Sequence, residues 1–290
     1  MRLLYLFLFA LAACGHETWY VTPSGLHYRV LFTNGRDSLA RMGGVAKLRY
    51  IQLFHDTVRR GTGGQMPLYQ QMIPGLLEPY SPMEALVYGL RQGDSVEAVQ
   101  RLDSMVSKKL LSGLPPGTRG SDTWTTRFVV ERIFEPDFTR PGRMDSLLAA
   151  DKAEERRRLD SLYTRSGPVR VRDWLDRHHI AAQQEADEPF VQVLNAGSGA
   201  RLDSGSTAQV ILKLSTLGGQ RIALQKDTIW LCVGRRDLPS KIDQALRGRN
   251  VGCRLLIYTP TMDAFGGYPP GTGIPPYADL VFDLEILGKK

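Results

Sequence analysis

The sequence predicts an α+β protein of two similar units, each an antiparallel sheet wrapped on a short helix, joined by a charged helical connector. Three observations carry this prediction. The closing segment 278–287 alternates apolar and polar residues, as a half-buried strand does. A similar order of strand, short helix, strand and glycine/proline loop occurs twice, about 160 residues apart. Dense charges fill the segment between the two occurrences.

The N-terminus resembles a bacterial secretion signal. Arg2 precedes the uncharged run 3–13, which is too short to span a bilayer. The run ends at Leu11-Ala12-Ala13-Cys14, which resembles a lipobox and implies that Cys14 is acylated after cleavage. We therefore predict a signal peptide over 1–13 and a tether over 14–21. The alternative is an ordinary signal peptide with an incidental cysteine.

The first unit is predicted over 22–137. Its strands are expected at 45–51, 94–99 and 124–133, with a short helix that opens at Met83 and a glycine/proline loop at 113–117. The second unit, 185–290, repeats this plan with strands at 208–214, 229–233 and 251–257. Gly218-Gly219 predicts its hairpin turn, and Asp237 or Ser240 is expected to cap its short helix at 238–246.

The connector, 138–184, is predicted to contain two helices. The charges of 145–163 indicate a solvated helix, Gly167-Pro168 is expected to break it, and a second helix over 172–180 offers the apolar stripe of Trp174, Leu175 and Ile180. A coiled-coil role is the alternative. His178-His179 lacks the spacing of a metal site and is predicted to be a solvated helix end, so no metal site is expected.

The C-terminal loop is the most specific feature. Its prolines cannot donate to a ladder, so 264–276 must be an ordered surface loop before the strand whose inner residues are Leu280, Phe282, Leu284 and Ile286. Loop and strand together resemble the flap and closing strand of FKBP-type peptidyl-prolyl isomerases. Both halves resemble FKBP domains, and the arrangement is similar to the two-domain FKBP lipoproteins of Bacteroidetes.

The resemblance implies a substrate pocket on the concave face of the second unit's sheet. Its predicted residues are Ile222, Ile229, Leu231, Leu238, Pro239, Ile242, Phe265, Ile274 and Phe282. Departures are also expected: Lys213 falls where the family has an early-strand Tyr, Ala223 where it has Asp, Ile242 where it has Trp, and Phe265 where it has Tyr. In the first unit the early Tyr is kept as Tyr50, the Phe-Asp pair falls on or near Arg59-Arg60, the floor position is Met83, and the closing-strand Phe falls near Thr126.

The implied function is a lipid-anchored peptidyl-prolyl isomerase that assists the folding of exported proteins. Its activity is expected to be weak, because several of the family's pocket residues are replaced. The alternative is a non-catalytic chaperone or scaffold for extended or proline-containing segments of envelope proteins. Neither function needs a cofactor. The expected partners are proline-containing polypeptides and, through the lipid anchor, the membrane of the bacterial envelope, on its periplasmic or surface face.

The composition gives no support for nucleic-acid binding. The net charge of +7 is scattered and no run of Lys and Arg stands beside aromatics, so nucleic-acid binding is not expected.

Cys232 and Cys253 lie in predicted strands of one unit, where an exported protein permits either a disulfide or two free thiols.

Overall fold

A computed structural model describes residues 18–33, 35, 39–73, 77–184, 188–222, 228–235, 237–267, 269 and 271–290. The chain divides into two compact units, Met1–Asp151 and Lys152–Lys290. The predicted signal peptide and Cys14 lie outside the described residues. Within the described ranges, no helix is both long enough and apolar enough to cross a membrane.

The first unit is built on an antiparallel sheet of seven strands, counted over the described residues, in the order β1-β2-β6-β7-β3-β4 with β5 also paired to β3. The strands are β1 (Tyr20–Val21), β2 (His27–Phe32), β3 (Val45–Phe54), β4 (Thr57–Gly61), β5 (Leu68–Gln71), β6 (Ser95–Arg101) and β7 (Thr123–Phe134). A 3₁₀-helix, η1 (Pro82–Val87), and a short helix, α1 (Leu102–Ser107), complete the unit.

The helix expected at Met83 is a 3₁₀-helix that begins at Pro82. The side chain of Ser81 caps it by accepting from the backbone N–H of Met83. Proline at the first helical position fits because its fixed φ suits the helix and its missing N–H would have had no partner. The helix packs Ala85 and Leu86 into the buried core of the sheet.

The second unit has a sheet of six strands among its described residues, in the order β10-β9-β13-β12-β8 with β11 also paired to β9. The strands are β8 (Phe190–Ala196), β9 (Thr207–Thr216), β10 (Arg221–Ile222), β11 (Thr228–Cys232), β12 (Cys253–Pro260) and β13 (Asp279–Lys289). The helices are α3 (Ser240–Leu246) and α4 (Thr261–Ala264), and the long helix α2 (Arg143–Arg177) begins in the first unit and ends in this one.

The closing strand β13 lies in the middle of this sheet. Phe282 is paired with Leu214 of β9 on one side and with Ile257 of β12 on the other. The four inner residues predicted from the alternation, Leu280, Phe282, Leu284 and Ile286, are all buried, which confirms their orientation. The α+β class predicted from the sequence is likewise confirmed, because both units combine antiparallel sheets with a few short helices.

The predicted break at Gly167-Pro168 is wrong, because α2 continues through both residues. Its packing in the second unit explains why. Val171 and Leu175 are buried with Tyr258 of β12 and Phe190 of β8. Tertiary contacts of this kind compensate for the backbone hydrogen bond that an internal proline removes.

Glycine at position 167 has a packing role. A Cβ placed there would lie 2.7 Å from Cγ of Pro260, so only glycine lets α2 approach the end of β12 this closely. The Gly-Pro pair that suggests a helix break in the sequence is therefore a contact point.

The predicted caps of α3 are also wrong. The helix begins at Ser240 with Pro239 in the capping position and without a side-chain cap. Asp237 instead accepts a hydrogen bond of 2.7 Å from the backbone N–H of Cys232. Its carboxylate thus stabilises the turn that follows β11. Cys232 and Cys253 are free thiols, in agreement with the second of the two predicted alternatives.

We predict that Gly167→Val lowers the free energy of unfolding by about 1–3 kcal/mol, because the added side chain would collide with Pro260. The gain in helix propensity over glycine is at most about 1 kcal/mol and does not offset the collision. Urea unfolding measures the change. Gly218→Ala, in an uncrowded turn, is the control and should change the free energy of unfolding by less than about 0.5 kcal/mol; equal effects of the two substitutions would contradict the packing account.

Candidate functional site

The structure brings most of the predicted pocket residues together in one apolar cluster of the second unit. Six of the nine are buried members of this cluster, and Ile229 packs against it while partly buried. The six are Ile222, Leu231, Leu238, Ile242, Ile274 and Phe282. Phe265 and Pro239 remain more accessible. We refer to all nine residues together as the cup.

Three elements supply the inner surface of the cup. In β11, Ile229 and Leu231 alternate with the exposed Trp230, so they face the cluster and Trp230 faces away. In α3, Ile242 and Leu246 are four residues apart and both fully buried, which places one face of the helix over the sheet. Phe282 of β13 forms the floor beneath them.

Phe265 is the accessible aromatic residue of the cup. It follows α4, where its backbone N–H donates to the carbonyl of Thr261. Its ring lies 5.9 Å from that of Phe282 with an interplanar angle of 27°. Phe265 is 38% exposed, whereas Phe282 is 1% exposed. The pair therefore joins the solvent-facing rim of the cup to its floor.

The flap tip occupies the cup in this conformation. Ile274 is 8% exposed and belongs to the same buried cluster as Ile242 and Phe282. Two surface hollows, of about 400 and 620 Å³, lie elsewhere and are lined by none of the nine cup residues. The sequence suggested an open apolar hollow, but the apolar tip of the flap packs there because this burial removes it from water.

The root of the flap is fixed by Tyr277, which the sequence analysis did not identify. Its hydroxyl donates to Oδ1 of Asp160 in α2 at 3.0 Å, and its ring stacks on Tyr163 of α2 at 4.3 Å. Its backbone N–H donates to the carbonyl of Gly267 at 2.7 Å. Asp160 and Tyr277 are 117 residues apart, so no local sequence pattern reveals the contact.

Two further features support this anchor. A Cβ on Gly267 would lie 2.1 Å from Cε1 of Tyr277, so glycine is required beneath the ring. Arg170 of α2 forms a bidentate ion pair with Asp279 at the start of β13, with N···O distances of 3.0 and 2.8 Å. The same guanidinium lies 4.8 Å above the ring of Tyr163. The flap is thus attached to α2 at its root and buried in the core at its tip.

Burial raises the pKa of Tyr277 far above its usual range, and both the hydrogen bond to Asp160 and the charge of that carboxylate raise it further. Burial also raises the pKa of the neighbouring Tyr163. The phenol of Tyr277 therefore keeps its proton in the folded protein at pH values where an unfolded tyrosine loses it.

Lys213, on which the family's early-strand Tyr falls, does not line the cup. Lys213 is exposed, while its neighbours Leu212 and Leu214 in β9 face the core. Side chains alternate along a strand, so a shift of one residue in the comparison moves the assigned side chain to the other face. The early-strand position of the cup is therefore apolar. Ala223 lies outside the described residues.

In the first unit, the family's closing-strand Phe falls near Thr126. Thr126 is buried, and Phe128 is the aromatic residue on the same face of the strand. Phe128 is paired with Tyr50 across β7 and β3, and both belong to or pack against the core cluster of this unit. Met83, which the resemblance places at the floor position, is also buried in this cluster. Arg59 and Arg60 are exposed on β4.

The polar groups near the cup are mostly engaged. The carbonyl of Pro239 accepts from the backbone N–H groups of Ile242 and Asp243, each at 2.9 Å. Pro239 itself has no N–H to offer a ligand. The buried carboxylate of Asp243 accepts from the backbone N–H of Gly234 at 3.0 and 2.9 Å. Within the described part of the chain, no cluster of three or more His, Cys, Asp or Glu residues could hold a metal ion.

We predict that Tyr277→Phe reduces the loss of stability at high pH. The folded-state pKa is raised, so the free energy of unfolding falls as pH rises above about 10, where the unfolded phenol ionises. Each such group contributes a slope of up to about 1.4 kcal/mol per pH unit. Urea unfolding between about pH 9 and 11.5 should therefore show a shallower decline in Tyr277→Phe than in the parent; parallel declines would contradict the assignment.

No family model matches this chain, and no curated protein matches it. Similar solved structures do exist. A peptidyl-prolyl cis-trans isomerase from Pseudomonas syringae is 19% identical, with 42% of this chain and 92% of that chain covered and a TM-score of 0.37. FkpA from Escherichia coli is 18% identical, with 52% and 73% covered and a TM-score of 0.39.

A third similar structure extends over most of the chain. The three FKBP domains of wheat FKBP73 are 12% identical, with 92% of this chain and 96% of that chain covered and a TM-score of 0.35. At these identities the similarity concerns the fold.

Proposed function

We propose that the second unit is a weak FKBP-type peptidyl-prolyl cis-trans isomerase that acts on proline-containing polypeptides. The observation that carries the proposal is the aromatic pair of the cup. Phe265 is accessible at the rim and stacks on the buried Phe282, with Leu231 and Ile242 in the same apolar cluster. A prolyl ring that replaces Ile274 would contact aromatic and aliphatic carbon on several sides.

Such a cup can accelerate rotation without a nucleophile or a cofactor. The barrier to rotation about a peptide bond is about 18–20 kcal/mol because resonance must be broken. Uncatalysed prolyl isomerisation takes tens of seconds or longer. The twisted amide is less polar than the planar amide, so an apolar cup that excludes water favours the twisted form over the ground state.

Three features of the cup argue for weak activity. Ile274 must leave before a ligand can enter, and exposing an isoleucine side chain costs about 1.5–3 kcal/mol. The nine cup residues include no hydroxyl or carboxylate that could orient a bound amide. Pro239 also lacks the backbone N–H through which the family receives the ligand carbonyl, so the following residue, Ser240, would have to provide it.

The second candidate is a non-catalytic chaperone or scaffold for extended or proline-containing segments. Burial of Ile274 favours this reading, because a filled cup holds no proline while the rim residue Phe265 remains available. The two candidates differ in a measurable way. A chaperone of this kind suppresses aggregation of an unfolded, proline-free client without accelerating prolyl isomerisation.

The cellular setting is part of the proposal. Acylation of Cys14 would anchor the protein to a membrane of the bacterial envelope, on the periplasmic or surface face, where it would assist the folding of exported proteins. Support comes from the apolar run 3–13 and the lipobox-like residues before Cys14. Two or more acyl chains give stable attachment.

We predict that Phe265→Ala lowers the isomerase kcat/KM of the purified protein by about tenfold, because the accessible wall of the cup is lost. A proline-containing tetrapeptide in a protease-coupled assay provides the rate. Trp230→Ala is the matched control, since Trp230 is an exposed aromatic residue of the same unit that points away from the cup.

Three outcomes would count against the proposal. A rate equal to the uncatalysed rate in the parent protein, together with suppressed client aggregation, selects the chaperone reading. An equal loss in Trp230→Ala and Phe265→Ala would show that the cup is not responsible. A parent rate as high as that of an FKBP domain with a complete pocket would contradict the expectation that the replaced pocket residues weaken activity.

We predict that Cys14→Ser abolishes incorporation of radiolabelled palmitate when the chain is produced in a bacterium. The serine hydroxyl cannot replace the thiol that is acylated, so the variant should move from the membrane fraction to the soluble fraction. Cys232→Ser controls for loss of a thiol elsewhere in the chain, and label retained in Cys14→Ser would overturn the anchor.

A further inference from the structure

The first unit contains a hollow lined by Tyr50, Arg59 and Arg60, which the resemblance matches to pocket positions of the family, and the proposed isomerase site of the second unit does not use it. Its volume is about 620 Å³, within the range of about 300–1,000 Å³ that is usual for ligand sites. Tyr50 and residues 58–62 and 65–68 line it. It therefore lies between β4 and the segment that leads into β5, beside the edge of the sheet.

The hollow is positively charged. Its lining includes Arg59 and Arg60 but no Asp or Glu. Neither arginine has an ion-pair partner among the residues that the structure describes. Arg49 of the neighbouring strand differs, because its Nε donates to Glu131 at 2.7 Å. Two unpaired guanidinium groups at a concave site attract carboxylates and can bind them in bidentate geometry.

The strand that carries these arginines has a free edge. Within the described part of the chain, β4 pairs with β3 alone and terminates the strand order. A strand of this kind presents unpaired backbone groups to which an extended peptide can be added. The five residues of β4 are long enough to pair with a short segment of another polypeptide.

A β-bulge orients the two arginines differently. Arg60 is opposite Gln52 and Val58 is opposite Leu53, so Arg59 is the extra residue of the bulge. Gln52 donates to the buried Thr126 at 3.4 Å. Cross-strand partners share a face, so Arg60 is on the same face of the sheet as Thr126 although its side chain is exposed. Bulges commonly redirect a side chain beside a binding site.

Tyr50 adds a hydrogen-bonding group to the hollow. Its backbone N–H donates to Oγ1 of Thr62 at 2.9 Å, and its carbonyl accepts from the backbone N–H of Thr62 at 2.9 Å. These bonds continue the pairing of β3 with β4 and fix the backbone of Tyr50 beside the hollow. In the described region the phenolic hydroxyl makes no hydrogen bond, so it can donate to a carbonyl or carboxylate that enters the hollow.

We propose that this hollow binds an extended acidic segment of a polypeptide. The segment adds a strand to the free edge of β4, its carboxylates pair with Arg59 and Arg60, and Tyr50 donates to it from the floor. This site goes beyond the proposed isomerase function, since it lies in the other unit and requires no proline. It would hold a client while the second unit acts.

Charged residues on an edge strand also have a simpler role, which is to prevent edges from pairing with one another. That role requires neither the hollow nor the unpaired phenol, and it predicts no affinity for an added strand. Binding by strand addition can also be distinguished from binding by charge attraction alone. Only strand addition is weakened when the bound peptide loses its backbone N–H groups.

The test uses the purified protein and a fluorescein-labelled peptide of about eight residues that alternates threonine and glutamate, measured by fluorescence anisotropy. We expect saturable binding that Arg60→Glu weakens by roughly tenfold or more and that Tyr50→Phe weakens by a few-fold. Arg119→Glu is the matched control. Arg119 is an exposed arginine of the same unit that does not line the hollow, so its substitution should weaken binding by less than about twofold.

A second peptide, with every other amide N-methylated, keeps the charges but cannot complete the added strand, and we expect it not to bind. Equal binding of both peptides, equal effects of Arg60→Glu and Arg119→Glu, or absence of binding would overturn the proposal. The isomerase rate of Arg60→Glu should equal that of the parent protein, so failure of this proposal and failure of the isomerase proposal are distinguishable.

Discussion

The apolar face of β13 is the constraint on which the second unit depends. Its inner residues are buried between β9 and β12, and Phe282 at the centre is almost inaccessible to solvent. Truncation of a buried phenylalanine costs about 3–5 kcal/mol, so this floor is primarily a structural element. Any binding that the cup performs must therefore depend on its rim and flap, where side chains can move without unfolding the sheet.

The flap combines a removable tip with a fixed root. At the root, Tyr277 is held by Asp160 and Tyr163 of α2 through a hydrogen bond and ring stacking. At the tip, the backbone N–H of Ile274 donates to Oγ1 of Thr272 within the flap at 3.3 Å. The side chain of Ile274 is held by apolar packing, which a prolyl ring of similar size can replace. Replacing one buried apolar group by another yields only a small net binding free energy. We therefore expect weak rather than tight substrate binding.

Much of the fold could be predicted because its signals are local. The alternation in β13 identified all four inner residues, and the glycine/proline loop identified the flap. Predictions failed where a tertiary contact overrode a local preference. Gly167-Pro168 did not end α2, because the glycine is the contact with Pro260. Asp237 does not cap α3, because its carboxylate accepts a hydrogen bond from the backbone N–H of Cys232.

At the site, too, residues with a local sequence signal could be predicted and residues joined by tertiary contacts could not. The apolar cup residues were found by their order in the chain, whereas Tyr277 and Asp160 are paired across the chain and have no sequence signal. Lys213, on which the family's early-strand Tyr falls, is exposed between two buried leucines, because successive residues of a strand face opposite sides. The occupation of the cup by Ile274 could not be predicted either, since it depends on how the flap folds back over the sheet.

The most direct test of whether a prolyl ring displaces Ile274 from the cup is methyl NMR. The protein is labelled at isoleucine and titrated with a proline-containing tetrapeptide. We predict that the signals of Ile274 and Ile242 shift together and saturate, while that of Ile180, which packs outside the cup, stays unchanged. Unchanged Ile274 and Ile242 signals at saturating peptide, or equal shifts at all three residues, would contradict the account.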